Sequence, residues 1–194
     1  MKSNICVVKK GGLGLENILL EVEKVTEYNG MQKKEALRLR LLAEELVGML
    51  PELVKNFEGR FWLQNDENRY ELHTELSVEN LSREVKEALL TVSANKRNAA
   101  ASSFMGKLRD VVENMILFSD MPNDPDCLCD YDTLDVHYTY VWTLEYYINQ
   151  QRERLPDNSE KWDELEKSIV AKLADDVIVG VRGKKVEIII KKEF

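Results

Sequence analysis

Basic charge is what this sequence has too little of. Its 27 Lys and Arg residues are outnumbered by 35 Asp and Glu, for a net charge of −8. That balance disfavours a general binder of nucleic acid or anionic membrane and still allows a local basic patch. Cysteine is scarce and odd in number: Cys6, Cys127 and Cys129 make no disulfide framework, so a reducing cytoplasm is expected. No run approaches the about 20 consecutive apolar residues of a membrane span. The apolar part of "MKSNICVVKKGG" is too short for a signal peptide. Internal repeats and low-complexity tracts are absent.

Chemistry-bearing motifs are equally sparse. His73 and His137 are the two histidines, and no serine or cysteine beside them lies in a nucleophile motif. His73 alternates with Leu72 and Thr74 in a strand pattern, which favours a structural or surface role. The acidic stretch "DPDCLCDYDTLDVH", residues 124–137, has one C-x-C pair and no second pair at zinc spacing. It also lacks the glycine and terminal glutamate of a calcium loop, so it reads as a solvated loop and no metal site is expected.

What is present suits one globular domain spanning 1–194, with 44% hydrophobic and 32% charged residues. "NICVVKK" reads as a strand from Asn4 to Lys9. Leu15 to Tyr28 reads as an amphipathic helix, with Leu15, Ile18, Leu19, Val22, Val25 and Thr26 on its apolar side, stopped by Asn29-Gly30. A second helix runs from about Gln32 to Leu50, where Pro51 either ends it or begins a further turn. Runs 60–64 and 69–77 flank the turn "NDEN" as a hairpin, with Phe61 and Trp62 on opposite faces. Residues 83–92 look helical, and a basic connector, "SANKRNAAASS", feeds a helix from about Phe104 to Phe118. Residues 119–134 read as an irregular insertion. The aromatic run "HYTYVWTLEYYINQQ" is taken as helix, with strand-plus-helix as the other reading. Its Trp142, Tyr146 and Tyr147 are expected in a core or interface. A helix capped by Ser159 and a closing hairpin, "VIVGV" and "VEIIIKK" around "RGKK", complete the chain. The expected fold is an α/β (α+β) two-layer sandwich: a mixed, mostly antiparallel sheet of about five strands with helices on one face.

That order, together with "LRLRLLAEELVGML" at 37–50, resembles the ATP-binding domain of histidine kinases and of anti-sigma-factor serine kinases, the GHKL or Bergerat fold. A bacterial group related to this fold is also similar. The resemblance covers most of the chain in element order. In sequence it is specific over 37–50 and weaker over 104–114 and 175–190. It implies that Glu45 stands at the family's catalytic glutamate and Met49 at its Mg²⁺-binding asparagine. A thioether is a poor ligand for a hard cation, which argues against Mg²⁺. Where the family carries an Asp-x-Gly-x-Gly box, this chain reads "TELSVENLSREV", without glycine.

Two candidate sites follow. Glu45 is the candidate catalytic residue; the other reading is a boundary glutamate with a solvent-facing tip, and Glu44 is expected on the solvated face near Arg40. Lys96, Asn98, Gly106 and Lys107, around a presumed helix start, are the candidate nucleotide- or anion-binding residues. The tract "KKGGLGLEN", 9–17, resembles the glycine pattern of a kinase lid but precedes the Glu45 helix and lacks a P-loop's Lys-Ser/Thr. It reads as a structural turn using glycine for positive φ. The expected function is a cytoplasmic regulatory protein that binds ATP, ADP or another anion without efficient phosphoryl transfer. The alternative is a non-catalytic interaction module, anti-sigma-like or homodimeric, with a protein partner.

Overall fold

The structure, a computed structural model, describes residues 1–9, 14–53, 57–78, 108–109, 111–112, 140–154, 168–182 and 184–194. Among these, six strands are β1 (Cys6–Lys9), β2 (Phe57–Asp66), β3 (Arg69–Val78), β4 (Tyr140–Thr143), β5 (Asp176–Arg182) and β6 (Lys185–Glu193). Four helices are α1 (Leu15–Tyr28), α2 (Lys33–Leu53), α3 (Leu144–Arg154) and α4 (Ile169–Leu173). The strands form one sheet in the order β1-β2-β3-β6-β5-β4. All five pairings are antiparallel. The sheet therefore has six strands, not about five, and no parallel pair among the described strands.

The sixth strand comes from the aromatic run. "YVWT" pairs with β5, Trp142 opposite Val179 and Thr143 opposite Ile178, before the chain turns into α3. Aromatic and β-branched side chains suit a pleated surface, and the strand-plus-helix reading is the one observed. The Thr143 hydroxyl accepts from the Tyr146 N–H at 3.1 Å, and Asp176 Oδ1 accepts from the Glu145 N–H at 3.1 Å. Both satisfy amide groups that the first turn of a helix leaves open.

Register sets the two faces of the sheet. Cys6, Phe61, Thr74, Ile188 and Val179 lie across from one another on one face. Thr74 is a buried polar residue there; the other four join Leu63, Leu72, Leu76, Val177, Val186 and Ile190 in the core. Helices α1 and α2 close that face with Ile18, Val22, Val25, Leu39, Leu42, Leu46 and Leu50. Phe61 is fully buried under them and Trp62 points to the other face, as alternation requires.

Local chemistry explains the boundaries. Gly14 caps α1 at φ 108°, and a Cβ there would lie 2.2 Å from the Val7 carbonyl oxygen. The glycine tract thus works as a structural turn at Gly14; residues 10–13 lie outside the described ones. Gly30, at φ 62°, ends α1 where the expected stop signal stands. Helix α2 continues through Pro51 for a last turn held by buried Leu53. Strand β1 starts two residues later than expected. The Asn4 N–H and Nδ2 donate to Glu21 Oε2 at 3.3 and 3.0 Å instead of to β2. Residues 1–3 rejoin β2 through the Lys2–Gln64 bridge and the Ser3 N–H to Leu63 oxygen bond.

The first hairpin is longer than its β-rich runs. Asp66 pairs with Arg69 across a two-residue loop, with Glu67 at φ 51°. The helix expected from Ser159 onward is not continuous through Ser168 in its described part. Ser168 is extended, at φ −76° and ψ 126°, and its hydroxyl accepts from the Ala171 N–H, so α4 begins there. Ser159, the 83–92 helix and the 119–134 insertion lie outside the described residues. Of the helix expected from about Phe104, residues 108, 109, 111 and 112 are helical, with Leu108 and Val112 fully buried.

Candidate functional site

Helix α2 carries the one catalytic candidate within the described residues. Its apolar positions Leu39, Leu42, Ala43, Leu46, Val47, Met49 and Leu50 are buried, whereas Glu44 and Glu45 are exposed. Met49 is only 5% exposed and belongs to the core cluster. One helical turn therefore separates a glutamate tip in solvent from a thioether packed among aliphatic side chains. This matches the boundary reading of Glu45. Arg40 pairs with Glu23 of α1 across the helix pair, and not with Glu44 on its own helix. The anion-site candidates Lys96, Asn98, Gly106 and Lys107 lie outside the described residues, as do Cys127, Cys129 and His137.

Between the α1–α2 turn and the first hairpin lies an open, mostly polar cavity of about 390 Å³. Asn29, Gly30, Met31, Gln32 and Glu35 line one side; Glu67, Asn68, Tyr70 and Phe194 line the other. Tyr70 packs edge-on against Phe194 at 5.7 Å. Burial, with the nearby Glu35 charge, pushes the Tyr70 phenol above its ordinary value. Behind this wall the Asn65 side-chain N–H donates to Asn29 Oδ1 and the Glu67 carbonyl, each at 3.4 Å, and its Oδ1 has no partner among the described residues. The glutamates give the cavity the wrong sign for a phosphate.

The sheet face opposite α1 and α2 holds a network of charged groups among the described residues. His73 sits on β3 directly across from Trp62 of β2. The two rings stack at 4.9 Å and 8°. His73 Nε2 lies 3.1 Å from Glu71 Oε2, and Nδ1 lies 3.4 Å from Glu187 Oε1 on β6. Lys2 Nζ stands 4.5 Å from the Trp62 ring centre. Arg60 donates to Glu75, which also meets Lys185 at 3.5 Å, and Lys191 reaches Glu71 at 3.9 Å. Burial opposes charge on His73, but hydrogen bonds to Glu187 and Glu71 and their charges outweigh it and hold its pKa above the ordinary 6.5. The hydrogen bond from His73 holds Glu71 below its ordinary value against its own desolvation. No group of three or more His, Cys, Asp or Glu among the described residues has an arrangement that could hold a metal ion.

Sequence reading placed His73 on a strand but missed this cluster. Glu71, two residues earlier, is legible on the same strand face. Glu187 comes from the far end of the chain and only pairing register brings it close. Comparison with protein-family models, curated proteins and solved structures returned no match.

Proposed function

We propose that this protein is a non-catalytic regulatory module that binds another protein or a second copy of itself, with its antiparallel sheet as the scaffold. The observation that carries the reading is the burial of Met49. At the position where the resemblance to GHKL kinases would require a magnesium ligand, helix α2 has a core thioether, and exposed Glu45 has no described partner in a catalytic arrangement. Edge strand β1 supports the binding part. Among the described residues no strand pairs with its outer side; Val7, on the sheet face it shares with Arg60, is 54% exposed, and Ile5, just before the strand, 52%. Edges of that kind accept an added strand unless charge blocks them. Lys9, which flanks Val7, is occupied by Glu58 at 2.7 Å.

The test has two arms. Calorimetric titration with ATP and ADP, with and without Mg²⁺, is expected to give no heat at millimolar nucleotide. Light scattering across a concentration series, with photocrosslinking from position 7 in cells, is expected to give a dimer or a discrete adduct that Val7→Lys removes. A strictly monomeric protein without an adduct would sink the interaction reading.

A second reading, a nucleotide or anion site at 95–107, is favoured by one observation. Leu108 and Val112 are fully buried one helical turn apart, which anchors on the core the segment that follows Gly106 and Lys107. Saturable nucleotide binding weakened by Lys96→Ala and Lys107→Ala would decide for it. No phosphate transfer is expected in either case, and label incorporation abolished by Glu45→Ala would overturn both.

A further inference from the structure

We propose that His73, Glu71 and Glu187 form a proton-operated clamp on the sheet face opposite α1 and α2, closed when the imidazole ring is protonated and released when it is neutral.

The argument is one of donors and acceptors. Each ring nitrogen of His73 faces a carboxylate oxygen, at 3.1 and 3.4 Å. An ionised carboxylate only accepts, and neutral imidazole has one N–H and one lone pair. A neutral ring therefore satisfies one glutamate and turns its lone pair on the other. The imidazolium alone donates to both. The site is sheltered enough for this to matter, because His73 is 9% exposed and one ring face is covered by Trp62.

The clamp joins the two hairpins of the sheet. Glu71 and His73 belong to the β2–β3 hairpin and Glu187 to the β5–β6 hairpin, so the pair spans the central β3–β6 seam. The other described charges around it are already engaged. Glu75 is held by Arg60 and Lys185, and Lys191 is 3.9 Å from Glu71. On the β2 side Lys2 lies over the Trp62 ring. On β5, Asp176 stands opposite Lys191 in register and bonds the α3 start. No described cation sits against Glu187, so loss of the His73 proton leaves that carboxylate uncompensated. That face then gains one negative charge, and the stack on Trp62 loses its cation.

The test uses the whole chain. With His137→Gln, a single histidine remains, and its ring resonances are followed by heteronuclear NMR from pH 5 to 9. The expected result is a ring doubly protonated at pH 6 and a titration midpoint above 6.5. Glu187→Gln and Glu71→Gln are each expected to lower that midpoint by about half a pH unit or more. Trp fluorescence of the unaltered chain is expected to change with the same midpoint, which needs no substitution at the cluster. A midpoint at or below 6.5, or one that neither glutamate variant moves, overturns the clamp.

Discussion

Gly14 and Met49 show how single residues separate structural from chemical roles here. Gly14 adopts a conformation that side chains rarely take, and an added methyl would meet the Val7 carbonyl at 2.2 Å. Gly14→Ala is expected to cost about 2 kcal/mol or more in urea unfolding; an unchanged midpoint would show that the β1–α1 turn relaxes freely. Met49 is a core residue at a position where the resemblance implies a metal ligand. Met49→Asn puts an amide among Leu46, Leu50 and Leu53 and is expected to cost about 2–4 kcal/mol without creating Mg²⁺-dependent nucleotide binding. Magnesium-dependent binding of ATP by that variant would instead revive the kinase-like geometry.

At the scale of elements, caps and loops carry the information that hydrophobic periodicity does not. Helix α4 has five residues, too few to be stable alone, and leans on the Ser168 cap and on buried Val170. Ser168→Ala is expected to lower stability by about 1 kcal/mol, read from the thermal midpoint. The first hairpin holds Glu67 at φ 51°, where a side chain other than Asn or Gly is strained. Glu67→Gly is expected to stabilise the chain by up to about 1 kcal/mol, with destabilisation as the result that would refute strain there. The α1 boundaries were legible because a 3.6-residue stripe ends at Asn29-Gly30. The "YVWT" strand was not, because an aromatic run of four residues has the same look in a strand and in a helix. Only its pairing with β5 decides between them.

Over the whole molecule, the described titrating groups give stability a mildly acidic optimum. Glu71 and Glu75 are held below their ordinary 4.5, Glu71 by the hydrogen bond to His73 and Glu75 by the one to Arg60. Glu21 is held there by the hydrogen bond from Lys24. Their contribution is complete above that value and is lost as pH falls through their folded pKa values. His73 is raised above 6.5, so its contribution is complete below 6.5 and is lost as pH rises through its folded pKa. Asp176, raised from 3.8 by burial, has the sign opposite to the glutamates and partly offsets them. The melting temperature is expected to peak between pH 4.5 and 6.5 and to fall on both sides, with the alkaline fall absent in His73→Gln. A melting temperature that climbs steadily to pH 9 would contradict this account.

By itself the sequence determined helices α1 and α2 and the two hairpins, which face of each is apolar, and where glycine must turn the chain. It could do so because period, capping and turn preferences act over a few residues. Glu45 was legible as a boundary residue for the same reason, since its place on the helical wheel is local. Tertiary structure decided the sixth strand, the sheet order, the burial of Met49 and the meeting of His73 with Glu187. The His73–Glu187 meeting depends on register between strands 114 residues apart, the sixth strand on pairing with β5 35 to 41 residues away, and the burial of Met49 on how α2 packs on the sheet; no local preference encodes such distances.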